Sequence, residues 1–349
     1  MWKSFTKVLK KFLVSNMKNF ISTHNCTFEE LEKILKLATQ LKSKPIDNCL
    51  KNKSVALVFF NSSLRTRTSF EVGINQLGGH SSTLDVGGQI WNLEYKDGAV
   101  MDGQNVEHIK DASKVLSKYF DFVCVRSFPQ MEDWNEDKKD PIINSFKKYL
   151  DIPLISMESA LYHPCQALAD IMTIKEKLNK PEKKKFVLSW SYHPKSLPTA
   201  VPNSASIIAS QFGMDVTIVN PKGFELSKET MNIVEKNCKD KGSNFEVVNS
   251  HEGFENADII YAKSWGSLKY YGQPEIEGSI KKDLKGWIVD KEKMDLTKNA
   301  KFMHCLPVRR NVEVADEVLD SKNSIVYDQA ENRLHAQKGL LKYLIGDKK

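Results

Sequence analysis

From Thr27 onward the chain alternates short apolar runs with stretches of helical periodicity, and this alternation constrains the fold more than any other feature. Strands that alternate with helices must be joined by crossovers, and crossovers build parallel sheets covered by helices. The first half supplies strand candidates at Val55–Phe60, Ser81–Leu84, Phe122–Val125 and Pro153–Met157. The second half supplies Phe186–Trp190, Val216–Val219, Phe245–Val248, Ile259–Ala262, Trp287–Val289 and Phe302–His304. Thr27 and Glu30 have the spacing of a capping box that opens the first helix. A helix opening at Pro164, with Leu168, Ile171 and Met172 on one face, bridges the two halves, and the lysine-rich stretch 179–185 leads into the second. A last helical pattern, Arg333–Ile345, is placed to pack back on the first half. The fold class is therefore α/β: two doubly wound parallel-sheet domains joined by helices. The expected division is an extension at 1–16, a first domain at 17–165 completed by a helix at 333–349, and a second domain at 166–332.

Length and composition agree with two domains, since 349 residues with 41% apolar content exceed one small core. The formal charge of +7 raises the question of a nucleic-acid partner. The lysines are scattered among acids without zinc-finger spacing or RNA-binding aromatics, so the excess reads as a field favouring anionic substrates. Six cysteines (Cys26, Cys49, Cys124, Cys165, Cys238 and Cys305) form no CxxC pair or disulfide framework, which fits a reducing, cytoplasmic setting. No apolar run approaches the roughly 20 residues of a membrane helix. The lysine-rich Met1–Met17 stretch lacks an h-region and arginines, and reads as an upstream extension rather than a targeting peptide.

Three segments carry chemistry. Ser62-Ser63-Leu64-Arg65-Thr66-Arg67-Thr68-Ser69 follows the strand Val55–Phe60 and precedes a helix with Phe70, Ile74 and Leu77 on one face, closed by Gly78-Gly79. Free N–H groups at a helix start, hydroxyls and two arginines make a receptor for a dianionic phosphate. His163-Pro164-Cys165-Gln166 stands at another junction, with Pro164 in the first helical turn. A lone histidine there is more often a cap than a catalyst. His304-Cys305-Leu306-Pro307-Val308-Arg309-Arg310 ends a strand at the carboxyl edge where α/β ligands collect. Cys305 offers a nucleophile or a metal ligand, or simply a small apolar thiol in a buried turn. No HxxxH or second cysteine lies at ligand spacing, so neither a metal nor a cofactor is expected.

With these segments in place the chain resembles the aspartate/ornithine carbamoyltransferase superfamily, and within it the acetylornithine and succinylornithine branch. The resemblance runs from about Asn61 to Lys338 and includes 59–67, Val100-Met101-Asp102-Gly103, Val125-Arg126-Ser127-Phe128, the His163 and His304 segments, Tyr261-Ala262-Lys263-Ser264-Trp265 and Glu331-Asn332-Arg333. It implies that Ser63, Leu64, Arg65, Thr66, Arg126, His163, Gln166, Cys305, Leu306 and Arg333 surround carbamoyl phosphate. It also implies that Trp91 reaches a neighbouring copy's site, hence a homotrimer with shared active sites. Arg126, His163 and Thr66 are then expected at the carbonyl oxygen, the helix start at the leaving phosphate, and Cys305 with the Leu306 carbonyl at the amine.

The second substrate follows from departures. Ornithine enzymes of the superfamily resemble one another in an aspartate-containing segment that grips a free α-amino group. Here Lys263 stands in the corresponding stretch, which suits a carboxylate and an acylated amine. Glu158, His193, Lys263, Leu306 and Arg309 are expected on the acyl-ornithine. Acetylornithine enzymes resemble one another in a glutamate where this chain has Val106, and a glutamate there would repel a succinyl carboxylate. The spacing from Glu158 to His163 and the run Leu197–Ser204 point the same way, so N-succinylornithine is expected ahead of N-acetylornithine, with Arg309 pairing its carboxylate. At Glu313 some acetylornithine enzymes carry a lysine that becomes carboxylated; Glu313 either replaces that charge or is a surface acid. A nicotinamide dehydrogenase is disfavoured because no GxGxxG follows Phe186–Trp190. A decayed, non-catalytic member of the fold is disfavoured because the arginine, histidine and cysteine positions persist.

Overall fold

The computed structural model describes residues 19–346, so the Met1–Met17 extension lies outside the described residues. The first half forms strands β1 (Ser54–Phe59), β2 (His80–Asp85), β3 (Phe122–Arg126) and β4 (Leu154–Glu158). Its helices are α1 (Phe28–Ser43), α2 (Leu64–Gln76), α3 (Ile109–Tyr119) and α4 (Pro141–Tyr149). After α5 (Pro164–Leu178), the second half forms β5 (Lys185–Trp190), β6 (Asp215–Val219), β7 (Phe245–Val248), β8 (Ile259–Lys263) and β9 (Lys301–Met303). Its longer helices are α6 (Ala200–Gln211), α7 (Lys228–Lys241) and α8 (Pro274–Lys281), and α9 (Val326–Ile345) follows. Both sheets are parallel throughout, in the orders β2-β1-β3-β4 and β9-β8-β5-β6-β7. Strand order reverses between β1 and β3 in the first sheet and between β5 and β8 in the second, the crevices where α/β folds bind ligands.

Alternate residues of each strand enter different cores, which explains the unbroken apolar runs. Leu57, Cys124, Ile155, Phe186, Leu188 and Tyr261 belong to one cluster that runs through α5 from sheet to sheet. Ala56, Val58, Val123 and Val125 face a separate cluster over the first sheet, and Val187, Ile260 and Ala262 one over the second. The Thr27–Glu30 capping box is present at α1, and Pro164 opens α5. Gly78, at φ 78, follows the end of α2 in the left-handed conformation that glycine tolerates.

Two expectations are corrected. Trp287–Val289 is not a strand: only Val289 makes an isolated bridge, to Val314, while the Trp287 ring packs on Trp190 and His251. The last helix begins at Val326 rather than Arg333. Its first residue lies in the core of the second half, and its later turns pack on the first. There the fully buried Lys338 donates to the Leu41 and Pro45 carbonyls at 3.1 Å and to Gln76 Oε1 at 2.7 Å. Loose carbonyls at the end of α1 thus receive a cation, the charge favoured at a helix C-terminus. A two-residue ladder, Leu93–Glu94 with Glu107–His108, frames a loop the periodicity did not reveal, and no described helix is long and apolar enough to cross a membrane.

Candidate active site

A cavity of about 470 Å³ opens at the carboxyl ends of both sheets. The carboxyl ends of β1, β3 and β4 and the segments that follow them supply Ser63, Arg65, Thr66, Arg126, Phe128, Glu158 and His163; the other half supplies His193, Lys263, Cys305, Leu306 and Arg309. Gln166 and Arg333, from α5 and α9, close the back.

The first-half wall is a tight polar lattice. Ser63 caps α2 by accepting the Thr66 N–H at 3.2 Å, leaving the first-turn amides at the cavity mouth. Thr66 Oγ1 accepts from Arg126 Nη1 at 3.4 Å and Arg333 Nη2 at 3.1 Å, and Arg333 Nη1 donates to Gln166 Oε1 at 2.7 Å. Arg126 also pairs with Glu158, whose carboxylate lies 3.3 Å from His163 Nε2. Glu158, expected on the acyl-ornithine, is thereby committed to the groups expected around the carbamoyl carbonyl. The Arg126 Nε, Arg333 Nε and His163 Nδ1 are buried with no protein partner. Arg65 is half-buried and makes no ion pair within the described residues, and burial lowers its pKa. Burial first, and then Arg333, Arg126, Arg65 and Lys263, hold His163 well below the usual imidazole range, so it is neutral at pH 7. Burial pushes the Cys305 thiol up to about 11, which removes it as a thiolate nucleophile.

The opposite wall is looser. Lys263 ends β8 half-buried against the cavity, with no ion pair among the described residues. Arg309 is exposed, and its Nε donates to His193 Nε2 at 2.9 Å. His193 is held neutral, chiefly by burial. Glu313 is not a surface acid: it is 2% exposed and accepts from Ser264 Oγ at 2.8 Å and the Arg309 N–H at 2.7 Å. Burial alone would raise its carboxyl, but His304, Lys263 and that N–H hold it down at about 2. Glu313 lines the cavity, a placement the sequence leaves undecided, as do Leu197, Pro198, Val201 and Val308, whose runs give no reason to single them out.

Three expected residues do not line the cavity of their own chain: Leu64, Trp91 and Val106 are 73%, 68% and 60% exposed. Leu64 sits on the outer side of the α2 start. Trp91 and Val106 belong to the segment around the two-residue ladder, together with exposed Val100 and Met101. A role for either side chain in catalysis needs a second copy of the chain.

The family described as aspartate/ornithine carbamoyltransferase matches through its carbamoyl-P binding domain at residues 18–176 and its Asp/Orn binding domain at residues 198–344. An N-acetylornithine carbamoyltransferase of Xanthomonas campestris pv. campestris is 44% identical over 337 residues, covering 95% of this chain and 98% of the relative. An N-succinylornithine carbamoyltransferase of Bacteroides thetaiotaomicron is 40% identical over 295 residues, covering 84% and 88%. A solved N-acetyl-L-ornithine transcarbamylase, a mutant with one glutamate replaced by valine, superimposes with a TM-score of 0.92 at 44% identity, covering 93% of this chain and 99% of that one. That mutant is complexed with carbamyl phosphate and N-succinyl-L-norvaline. The chain belongs to the aspartate/ornithine carbamoyltransferase family, in its acyl-ornithine branch, and is a carbamoyltransferase.

Proposed function

We propose that this chain transfers the carbamoyl group of carbamoyl phosphate to the δ-amine of an N-acyl-L-ornithine, giving the N-acyl-L-citrulline and phosphate in arginine biosynthesis. The observation that carries this reading is Lys263, a half-buried cation without an ion pair that faces the cavity from the end of β8. A cation there receives a substrate carboxylate and repels a free α-ammonium. N-acetyl-L-ornithine is the acyl form that overall relatedness favours, through the X. campestris relative matched over nearly its whole length. The sequence-based preference for N-succinyl-L-ornithine is a second reading. It rests on Val106 where a glutamate is expected in acetylornithine enzymes, and an N-succinylornithine carbamoyltransferase is among the relatives, at 40% identity. A substrate panel of ornithine, N-acetylornithine, N-succinylornithine and aspartate, scored by citrulline colour, decides among them; best turnover of free ornithine would overturn the acyl assignment.

The geometry supports the following roles. The first turn of α2 and Arg65 hold the phosphate, because amide dipoles and a guanidinium fork match a dianion. Arg126, His163 and Thr66 receive the carbonyl oxygen; a neutral imidazole donates a hydrogen bond without adding charge, while Arg126 stabilises the tetrahedral oxyanion. The amine attacks as its neutral form beside Cys305 and the Leu306 carbonyl, forming the C–N bond; the C–O bond to phosphate then breaks, and the amine's surplus proton passes to the departing phosphate. Cys305 acts as a polar contact rather than a covalent nucleophile. Lys263, His193 and Arg309 hold the acyl-amino acid. The active assembly is a cytoplasmic homotrimer in which Trp91 completes a neighbour's site. Mixing Trp91→Ala with Arg126→Ala protein should then restore activity as hybrids form, and proven subunit exchange without recovery would refute sharing.

A further inference from the structure

Behind the back wall of the cavity lies a carboxylate that the roles above leave unused. Asp170, in the second turn of α5, is 1% exposed. Its Oδ1 accepts from two side-chain amides at once, Gln166 Nε2 at 2.8 Å and Gln329 Nε2 at 2.7 Å. A carboxylate only accepts, so both NH₂ groups must turn toward it and both amide oxygens must turn away. Those oxygens lead in different directions. Gln166 Oε1 receives Arg333 Nη1 at 2.7 Å, and Arg333 in turn reaches Thr66. Gln329 Oε1 receives the His304 backbone N–H at 3.0 Å, one residue before Cys305.

We infer that Asp170 is a positioning residue that, through one oxygen, orients both the Gln166–Arg333 pair at the carbamoyl phosphate end and the Cys305–Leu306 turn at the amine end. This rests on the reading that these groups surround carbamoyl phosphate. Without an acceptor at Oδ1, both NH₂ groups are left buried without their partner and only the Arg333 and His304 donors still orient the amides, so each amide is held at one end instead of two. A shared oxygen also ties the two ends of the reaction to one rigid helix, holding the reacting atoms in register.

Three variants test the idea. Asp170→Ala removes the acceptor and should raise the carbamoyl phosphate Kd, read by calorimetry, about tenfold or more while lowering kcat. Asp170→Asn keeps an oxygen for the two amides and places its nitrogen at Oδ2, where the Tyr261 hydroxyl that interacts with Asp170 can accept from it. It should keep that Kd within about threefold of wild type. Gln329→Met cuts only the second arm, and should lower kcat/KM for the acyl-ornithine with carbamoyl phosphate binding unchanged. It also keeps the proposal testable if Asp170→Ala fails to fold. Equal losses in the Ala and Asn variants, or folded variants whose Tm falls while both substrates' constants stay put, would overturn the proposal. Arg65→Ala is the control: if it loses carbamoyl phosphate and folded Asp170→Ala does not, this inference alone fails. If neither loses it, the phosphate-site reading fails as well.

Discussion

The two ends of the cavity are built on different physical plans. At the carbamoyl phosphate end, Thr66, Arg126, Glu158, His163, Gln166 and Arg333 are all below a tenth exposed and interlocked by hydrogen bonds. At the acyl end, Lys263 on the last residue of β8 and Arg309 on a loop stand beside an apolar wall of Leu197, Pro198 and Val201, and Arg309 is exposed. The contrast follows from what each end must do. Carbamoyl phosphate is the invariant reactant, and a preorganised lattice stabilises its developing charge without rearrangement. The amine substrate is where members of the branch diverge, and loosely packed loops change without disturbing the lattice.

The largest test of this contrast is Arg65→Ala. Removing a forked guanidinium from a dianion site costs roughly 3–4 kcal/mol, so carbamoyl phosphate affinity should fall on the order of 100- to 1000-fold by calorimetry. Unchanged affinity would mean the helix start is not the phosphate receptor. Next in size is pH. His163 lies well below its usual range and Cys305 near 11, so neither titrates between pH 7 and 9. Over that window kcat/KM for the acyl-ornithine should rise about tenfold per unit, following the neutral fraction of an alkyl ammonium of pKa about 10. A plateau beginning near pH 7 would instead expose an enzyme group that titrates. Lys263→Met should lower kcat/KM for the acyl-ornithine about tenfold while leaving carbamoyl phosphate binding intact. Loss of both would show the two ends to be coupled rather than separate. The smallest effect belongs to Val106→Glu, an exposed position that acts only across an interface. If it faces a neighbour's acyl pocket, the succinyl-to-acetyl ratio of kcat/KM should drop about three- to tenfold. A constant ratio would remove Val106 from substrate choice.

Legibility in the sequence divides along the same line. The phosphate receptor could be read because its parts are contiguous: a strand, a serine cap, hydroxyls and arginines within one helical turn. Glu313 could not, because its burial arises from Ser264 and the Arg309 amide meeting across loops, and nothing local to residues 309–314 announces that. The sequence pattern opens the last helix seven residues late, at Arg333 rather than Val326, because Asp328, Gln329 and Asn332 look like a polar connection. In the fold Gln329 and Asn332 are fully buried, their amides spent on Asp170, His304 and Thr173. Trp287–Val289 has a strand's apolarity, yet its indole is used in stacking rather than in a ladder. Trp91 and Val106 mark a further limit: one chain's sequence names them, but one chain's structure leaves them in solvent.

The return of α9 to the first half has a consequence for how the protein is made. Lys338 contacts the Leu41 carbonyl across 297 residues of sequence, and a Cβ on Gly339 would lie 2.6 Å from the Ile34 carbonyl oxygen, so this helix seats flush against α1. At about 5–20 residues per second, a ribosome needs roughly 15–60 s to travel that distance. Over that interval the face of α1 that seats this helix has been synthesised and the helix has not, so the first half is completed only after the second has been made.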